Sequence, residues 1–132
     1  MSQTIEQAAA MRAAFDRIEE AYEFMLAYAA QGRRSEVGEG GGESQIRQYL
    51  KRFDGALADY TTALTDGFAA KAGADFATRA REDAAVAGSV IGLLLAQESI
   101  SSDMVDNTNG LIAMRALLTD IFFIDQVALP PR

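Results

Sequence analysis

The sequence predicts an all-α protein, an antiparallel four-helix bundle, from three observations. Two long segments place apolar residues at alternating steps of three and four, which is the heptad pattern of packed helices. No segment alternates apolar and polar residues with the β-branched enrichment that is typical of a strand. The chain has 132 residues, 49% hydrophobic and 23% charged, which fits one globular domain over residues 1–132.

The first predicted helix spans residues 2–31. Its apolar residues at heptad spacing form a seam along one face, and good helix formers occupy the other positions. Gly32 provides a common type of helix end. The seam consists of Ala8, Met11, Phe15, Ile18, Tyr22, Met25 and Ala29.

Residues 32–43 are predicted to be a loop because they include five glycines, whose backbone entropy opposes a helix. A phosphate-binding loop would need a preceding strand and a Gly-Lys-Ser/Thr sequence. Here Glu43 and Ser44 follow instead, and the loop's glutamates would repel phosphate. We therefore predict a flexible linker that tolerates shortening, since doubling a loop changes its closure cost by only about 0.6 kcal/mol.

The second predicted helix spans residues 44–72, with Ser44 as its N-cap. Its apolar residues again repeat at steps of four and three, which gives a second face for the core. This seam consists of Ile46, Leu50, Phe53, Leu57, Tyr60 and Leu64.

The third predicted helix begins near a cap at Asp75 and ends near residue 98. Residues 84–96 are apolar almost all round, so we expect this helix to be the most buried. Small residues recur every four positions and would admit a neighbouring backbone, either in a crowded core or at a dimer face. They are Ala84, Gly88, Gly92 and Ala96.

The fourth segment is predicted to be one helix over residues 102–128, capped by a serine at its start. The Asp-Asn-Thr-Asn-Gly sequence within it is poor helix sequence, so a start at Thr108 is the alternative. Two prolines in the tail, residues 129–132, end the helix. The long first loop permits either a simple turn or a crossover, which leaves the handedness of the bundle open.

The composition argues against catalysis and against bound cofactors or metals. The chain has no His and no Cys, so it lacks the usual general base, the thiolate ligands and the Glu-x-x-His motif of di-iron bundles. Asp120 and Asp125 lie in an apolar stretch where burial would raise the pKa of a carboxyl group. Five residues apart, they point about 140° away from each other on a helix, so we expect each to border solvent or to pair with an arginine.

The charge and the hydropathy limit the class of partner. The formal net charge is −7, which opposes binding to nucleic acid. The longest apolar stretch, residues 84–96, is short of the roughly 20 residues that a membrane span needs. The first six residues lack the basic and apolar regions of a secretory signal, so we expect a cytoplasmic protein.

These exclusions favour a non-enzymatic accessory protein that binds another protein, as a chaperone, an assembly factor or a small subunit. Apolar residues on several faces of the last two segments also predict a homodimer. The alternative is a small-molecule sensor or carrier with its ligand in the bundle core. Arg115 either anchors a partner carboxylate or covers the edge of the core. The candidate interface comprises Ala84, Gly88, Gly92, Ala96, Arg115 and Phe122.

Overall fold

The computed structural model describes residues 5–38, 40–65 and 73–132. Within these residues the chain forms five α-helices and no strand. The helices are α1 (Ile5–Ala29), α2 (Gln45–Thr65), α3 (Ala74–Leu95), α4 (Ser102–Asn109) and α5 (Ile112–Phe123), and a π-helical turn (Ile124–Ala128) follows. The predicted helical residues 2–4 and 66–72 lie outside the described residues.

The helices form an antiparallel bundle in which α4 and α5 together occupy the fourth position. The helix α1 packs against α2 and α4, while α3 packs against α2 and α5. Arg12, early in α1, forms an ion pair with Asp125 near the end of the chain. Phe76 at the start of α3 meets Phe123 at the end of α5, with ring centroids 5.2 Å apart. These contacts confirm the predicted all-α bundle.

The two predicted seams meet in the core. Every member of the second seam is buried, and in the first seam only Tyr22 and Ala29 are half-buried. Phe15 of α1 packs edge-to-face against Tyr60 of α2, with their ring centroids 5.8 Å apart. The heptad spacing therefore identified the core faces of α1 and α2 correctly.

The expectation that α3 is the most buried helix is wrong. Only one of its faces enters the core, and its outer face leaves Val86 and Leu93 more than half exposed. The buried face is made largely of alanines, so apolar composition all round did not mean burial all round. The helix starts at Ala74 after Gly73, with the predicted cap Asp75 in its first turn, and it ends at Leu95.

The prediction of a single fourth helix is also wrong, because the helix is interrupted between α4 and α5. Asn109 ends α4, and Leu111 is extended before α5 begins. The amide of Asn109 donates to the carbonyl oxygen of Met25 in α1 at 3.2 Å, so this side chain is used outside its own helix. The start of α4 at Ser102 is confirmed, and the Ser101 side chain caps it by accepting from the amide of Met104.

Candidate functional site: an apolar groove and a buried carboxyl pair

An apolar groove lies between the second half of α3 and the break between α4 and α5. Its volume is about 400 Å³. Its lining residues are Val90, Leu93, Leu94, Gln97, Met104, Asn107, Thr108 and Leu111. Leu93 is 66% exposed, Leu111 is 41% exposed and Met104 is 37% exposed, so three large apolar side chains meet water at one place.

The interruption of the helix between α4 and α5 creates this groove. Leu111 is extended between the two helices, and its side chain reaches the same cleft as Met104 of α4. In the sequence, Leu111 is the first residue of an apolar stripe that continues with Met114 and Leu118, and this pattern favours one continuous helix. The available signal was the Asn109-Gly110 sequence, which is a common helix end.

Three exposed acidic residues are close in the sequence to residues that line the groove. Asp103 lies one helical turn from the groove residue Asn107, and Glu98 directly follows the groove residue Gln97. Asp106 is also exposed on α4. In the described part of the chain, no ion pair involves any of these three carboxylates, so the segments that border the groove carry unpaired negative charge.

The stripe of small residues does not line the groove. Ala84 belongs to the protomer's own core, where no partner reaches it. A Cβ on Gly88 would lie 4.0 Å from side-chain atoms of Asp54 and Leu57, so this position faces α2. Gly92 has open space around it, and Ala96 is exposed.

The other two candidate interface residues, Arg115 and Phe122, belong to α5. Both are exposed, and among the described residues none forms an ion pair with Arg115. Three residues after Phe122, Asp125 accepts a hydrogen bond from Arg12 of α1, so this edge of α5 faces α1. Of the six predicted interface residues, Ala84 is buried and Gly88 faces α2, while a role in binding for the other four stays a prediction.

A pair of carboxyl groups lies between α3 and α5. Asp120 is buried and is within hydrogen-bonding reach of Asp83. Arg79 donates a hydrogen bond to Asp83, with 3.3 Å between Nε and Oδ1. When both carboxyls are ionised, Asp120 Oδ2 has no donor in the described part of the chain, and the buried hydroxyl of Tyr60 has no partner there either.

Burial, the hydrogen bond with Asp83 and the negative charge of Asp83 together raise the pKa of Asp120 to about 7, while Arg79 opposes the rise. Burial, together with Asp120 and Asp83, also raises the pKa of the Tyr60 hydroxyl. Asp120 thus neither borders solvent nor pairs directly with an arginine, which corrects that expectation. For Asp125 the arginine pairing is confirmed, and the hydrogen bond from Arg12 lowers the pKa of this carboxyl despite some burial.

Glu36, in the glycine-rich loop, forms an ion pair and hydrogen bonds with residues of the bundle outside the loop. Its carboxylate accepts from Arg47 Nε at 2.8 Å, from Arg47 Nη2 at 2.9 Å and from the amide of Ile100 at 2.9 Å. The predicted cap Ser44 is confirmed, since its hydroxyl accepts from the amide of Arg47 and donates to Glu36. These bonds correct the expectation that the whole loop can be shortened freely.

Comparison with family models, with curated proteins and with solved structures finds no match to this chain. Among the described residues, no helix is both long enough and apolar enough to cross a membrane.

Proposed function

We propose that this protein is a non-enzymatic accessory protein that binds another protein through the groove between α3 and the α4–α5 break. The exposure of Leu93, Met104 and Leu111 around one cleft is the observation that carries this proposal. Burying such side chains is worth roughly 25 cal/mol per Å² of apolar area, so a partner that covers them gains affinity. Binding of this kind fits a chaperone, an assembly factor or a small subunit of a complex.

The shape and charge of the groove favour a helix of the partner. A groove between helices accepts an amphipathic helix whose apolar residues recur every three or four positions. Glu98, Asp103 and Asp106 favour basic residues beside those apolar anchors, because complementary charge accelerates association and selects partners. The same acidic residues disfavour a second copy of this chain in the groove.

We also propose that the protein is a homodimer in the cytoplasm. The support for self-association is a second exposed apolar group, formed by Phe122, Phe123 and Val127 at the end of α5 and in the following turn. A dimer formed there would leave the groove free for a different partner. Sedimentation of the pure protein as a 14.2 kDa species at high micromolar concentration would contradict the dimer.

A small-molecule carrier is the second candidate, and a cleft between α1 and α2 favours it. This cleft has a volume of about 400 Å³, which suits a small ligand, and Ala10, Ala13 and Ala63 supply most of its apolar lining. The core offers less room, since Phe15, Phe53 and Tyr60 are fully buried side chains. Native mass spectrometry separates the candidates, because a carrier retains a mass that the polypeptide does not account for.

Capture by matched surface variants tests the proposed function. Leu93→Asp places a charge in the groove, whereas Val86→Asp makes the same change at an exposed site on α3 outside it. We expect a protein that wild type and Val86→Asp retain from native extract to be lost with Leu93→Asp. Circular dichroism checks that both variants stay folded. Equal retention by the two variants would contradict binding through the groove.

A further inference from the structure

The carboxyl pair between α3 and α5 has no role in the proposed function. We propose that Asp83 and Asp120 form a binding site for one proton, and that the bound proton holds α3 against α5. The ligand is a solvent proton, and binding converts the Asp120 carboxylate to a carboxylic acid.

The arrangement of donors and acceptors supports this site. Two ionised carboxylates at hydrogen-bonding distance repel each other, and water does not screen them well when both are largely buried. A proton on Asp120 removes one charge and makes this carboxyl group a hydrogen-bond donor to Asp83. Because Arg79 forms an ion pair with Asp83 and not with Asp120, we place the proton on Asp120.

The buried hydroxyl of Tyr60 is an independent observation at the same place. It has no hydrogen-bond partner among the described residues, and it interacts electrostatically with both Asp120 and Asp83. The site therefore lies where α2, α3 and α5 meet. An unpartnered polar group in a core is uncommon, and its position beside the pair indicates a polar centre within an otherwise apolar contact.

The groups that face Asp120 come from two helices. Asp83 and Arg79 act on it from α3, and Tyr60 interacts with it from α2. Within the described residues, no charged group of α4 or of the π-helical turn, which also pack against α5, adds to this set. The acid of that turn, Asp125, is held by Arg12 and Arg132 instead.

Proton binding makes the stability of the fold fall as the pH rises. Because the pKa of Asp120 is raised, the folded chain binds more protons than the unfolded chain between the ordinary pKa of 3.8 and about 7. The unfolding equilibrium constant then rises with pH, by at most tenfold per pH unit for one proton. Above the folded pKa the dependence levels off.

Urea unfolding between pH 5 and pH 8 tests the site. We expect the unfolding constant of wild type to rise at least tenfold over this range, and we expect Asp120→Asn to abolish the rise, because an amide donates to Asp83 without titrating. Glu19→Gln is the control, since the pKa of Glu19 is raised at a surface site by burial and by Asp16, and it should keep most of the rise. The proposal is overturned by a flat wild-type profile or by a rise that persists in Asp120→Asn.

Carbon-13 NMR of the carboxyl groups supplies a test whose first part uses only the wild-type protein. In wild type, Asp120 should titrate above pH 6, and a midpoint near 4 would overturn the site. Asp83→Asn should lower this midpoint, because it removes the negative partner. An unchanged midpoint would mean that burial alone acts on Asp120, and this result would contradict the pairing.

Discussion

Removing the carboxylate of Glu36 is the sharpest perturbation of the loop. Glu36→Ala breaks a two-pronged ion pair with Arg47 and the hydrogen bond to the amide of Ile100. The side chain of Glu36 is only 12% exposed and that of Arg47 is 20% exposed, so water replaces these bonds poorly. The variant therefore leaves a largely buried guanidinium without its counter-charge.

The expected loss follows from this geometry. Removing one partner of a buried ion pair costs about 3–5 kcal/mol. Arg47 keeps its hydrogen bond to the carbonyl oxygen of Leu95 at 2.8 Å, so the lower end applies. We expect about 3 kcal/mol, or roughly a hundredfold in the unfolding constant. The thermal midpoint should fall by about 10 °C for a domain of this size.

The assay is urea unfolding of Glu36→Ala beside Glu43→Ala. Glu43 belongs to the same loop and pairs with Lys51, but both side chains are well exposed, so its loss should cost less than about 1 kcal/mol. Equal effects of the two substitutions would refute the reasoning, because burial would then not distinguish the two ion pairs.

Acidic pH gives a second check on Glu36. Burial would raise the pKa of this carboxyl, but the hydrogen bonds from Arg47, Ser44 and Ile100 outweigh it and hold the pKa below its ordinary value of 4.5. A lowered pKa stabilises the fold above the unfolded value, and this contribution is lost as the pH falls through the folded value. The difference between wild type and Glu36→Ala should therefore shrink below pH 4.

Two further predictions concern glycines. Gly38→Ala should destabilise the fold, because its Cβ would lie 2.6 Å from the carbonyl oxygen of Gly42. Gly55→Ala should instead raise the stability by about 0.5–1 kcal/mol, because nothing lies within 4 Å of its Cβ. Thermal unfolding of both variants tests this, and a lower thermal midpoint for Gly55→Ala would contradict the open space around Gly55. Gly92→Leu should leave the oligomeric state unchanged and the thermal midpoint equal or higher, since the space around Gly92 is open. A smaller species in sedimentation would instead indicate that a second subunit packs at this position.

The sequence was informative wherever periodicity determines which residues enter the core. The heptad steps located the buried faces of α1 and α2 because each helix has one neighbour-facing side over its whole length. Periodicity did not identify the buried face of α3, because small and large apolar residues lie on all sides of its second half. Only the positions of α2 and α5 decide that Ala84 is buried and that Leu93 meets water.

The candidate site depended on contacts between segments that are distant in the sequence. Asp83 and Asp120 are 37 positions apart, and nothing in either local pattern pairs them. The groove required the interruption at Gly110, where the poor helix sequence left two possibilities open, one long helix or a later helix start. Nothing in the sequence indicated that Glu36 is more than a charged residue of a flexible loop, because its partners Arg47 and Ile100 come from other parts of the chain.

Site-specific photo-crosslinking tests the groove most directly. A photoreactive amino acid replaces Leu93 in the groove or, as the control, exposed Gly55 on α2. We predict one discrete adduct with a different protein from position 93, no adduct from position 55, and loss of the adduct when Leu111→Asp is added. Equal adducts at both positions, or an adduct at position 93 that survives Leu111→Asp, would contradict binding through the groove.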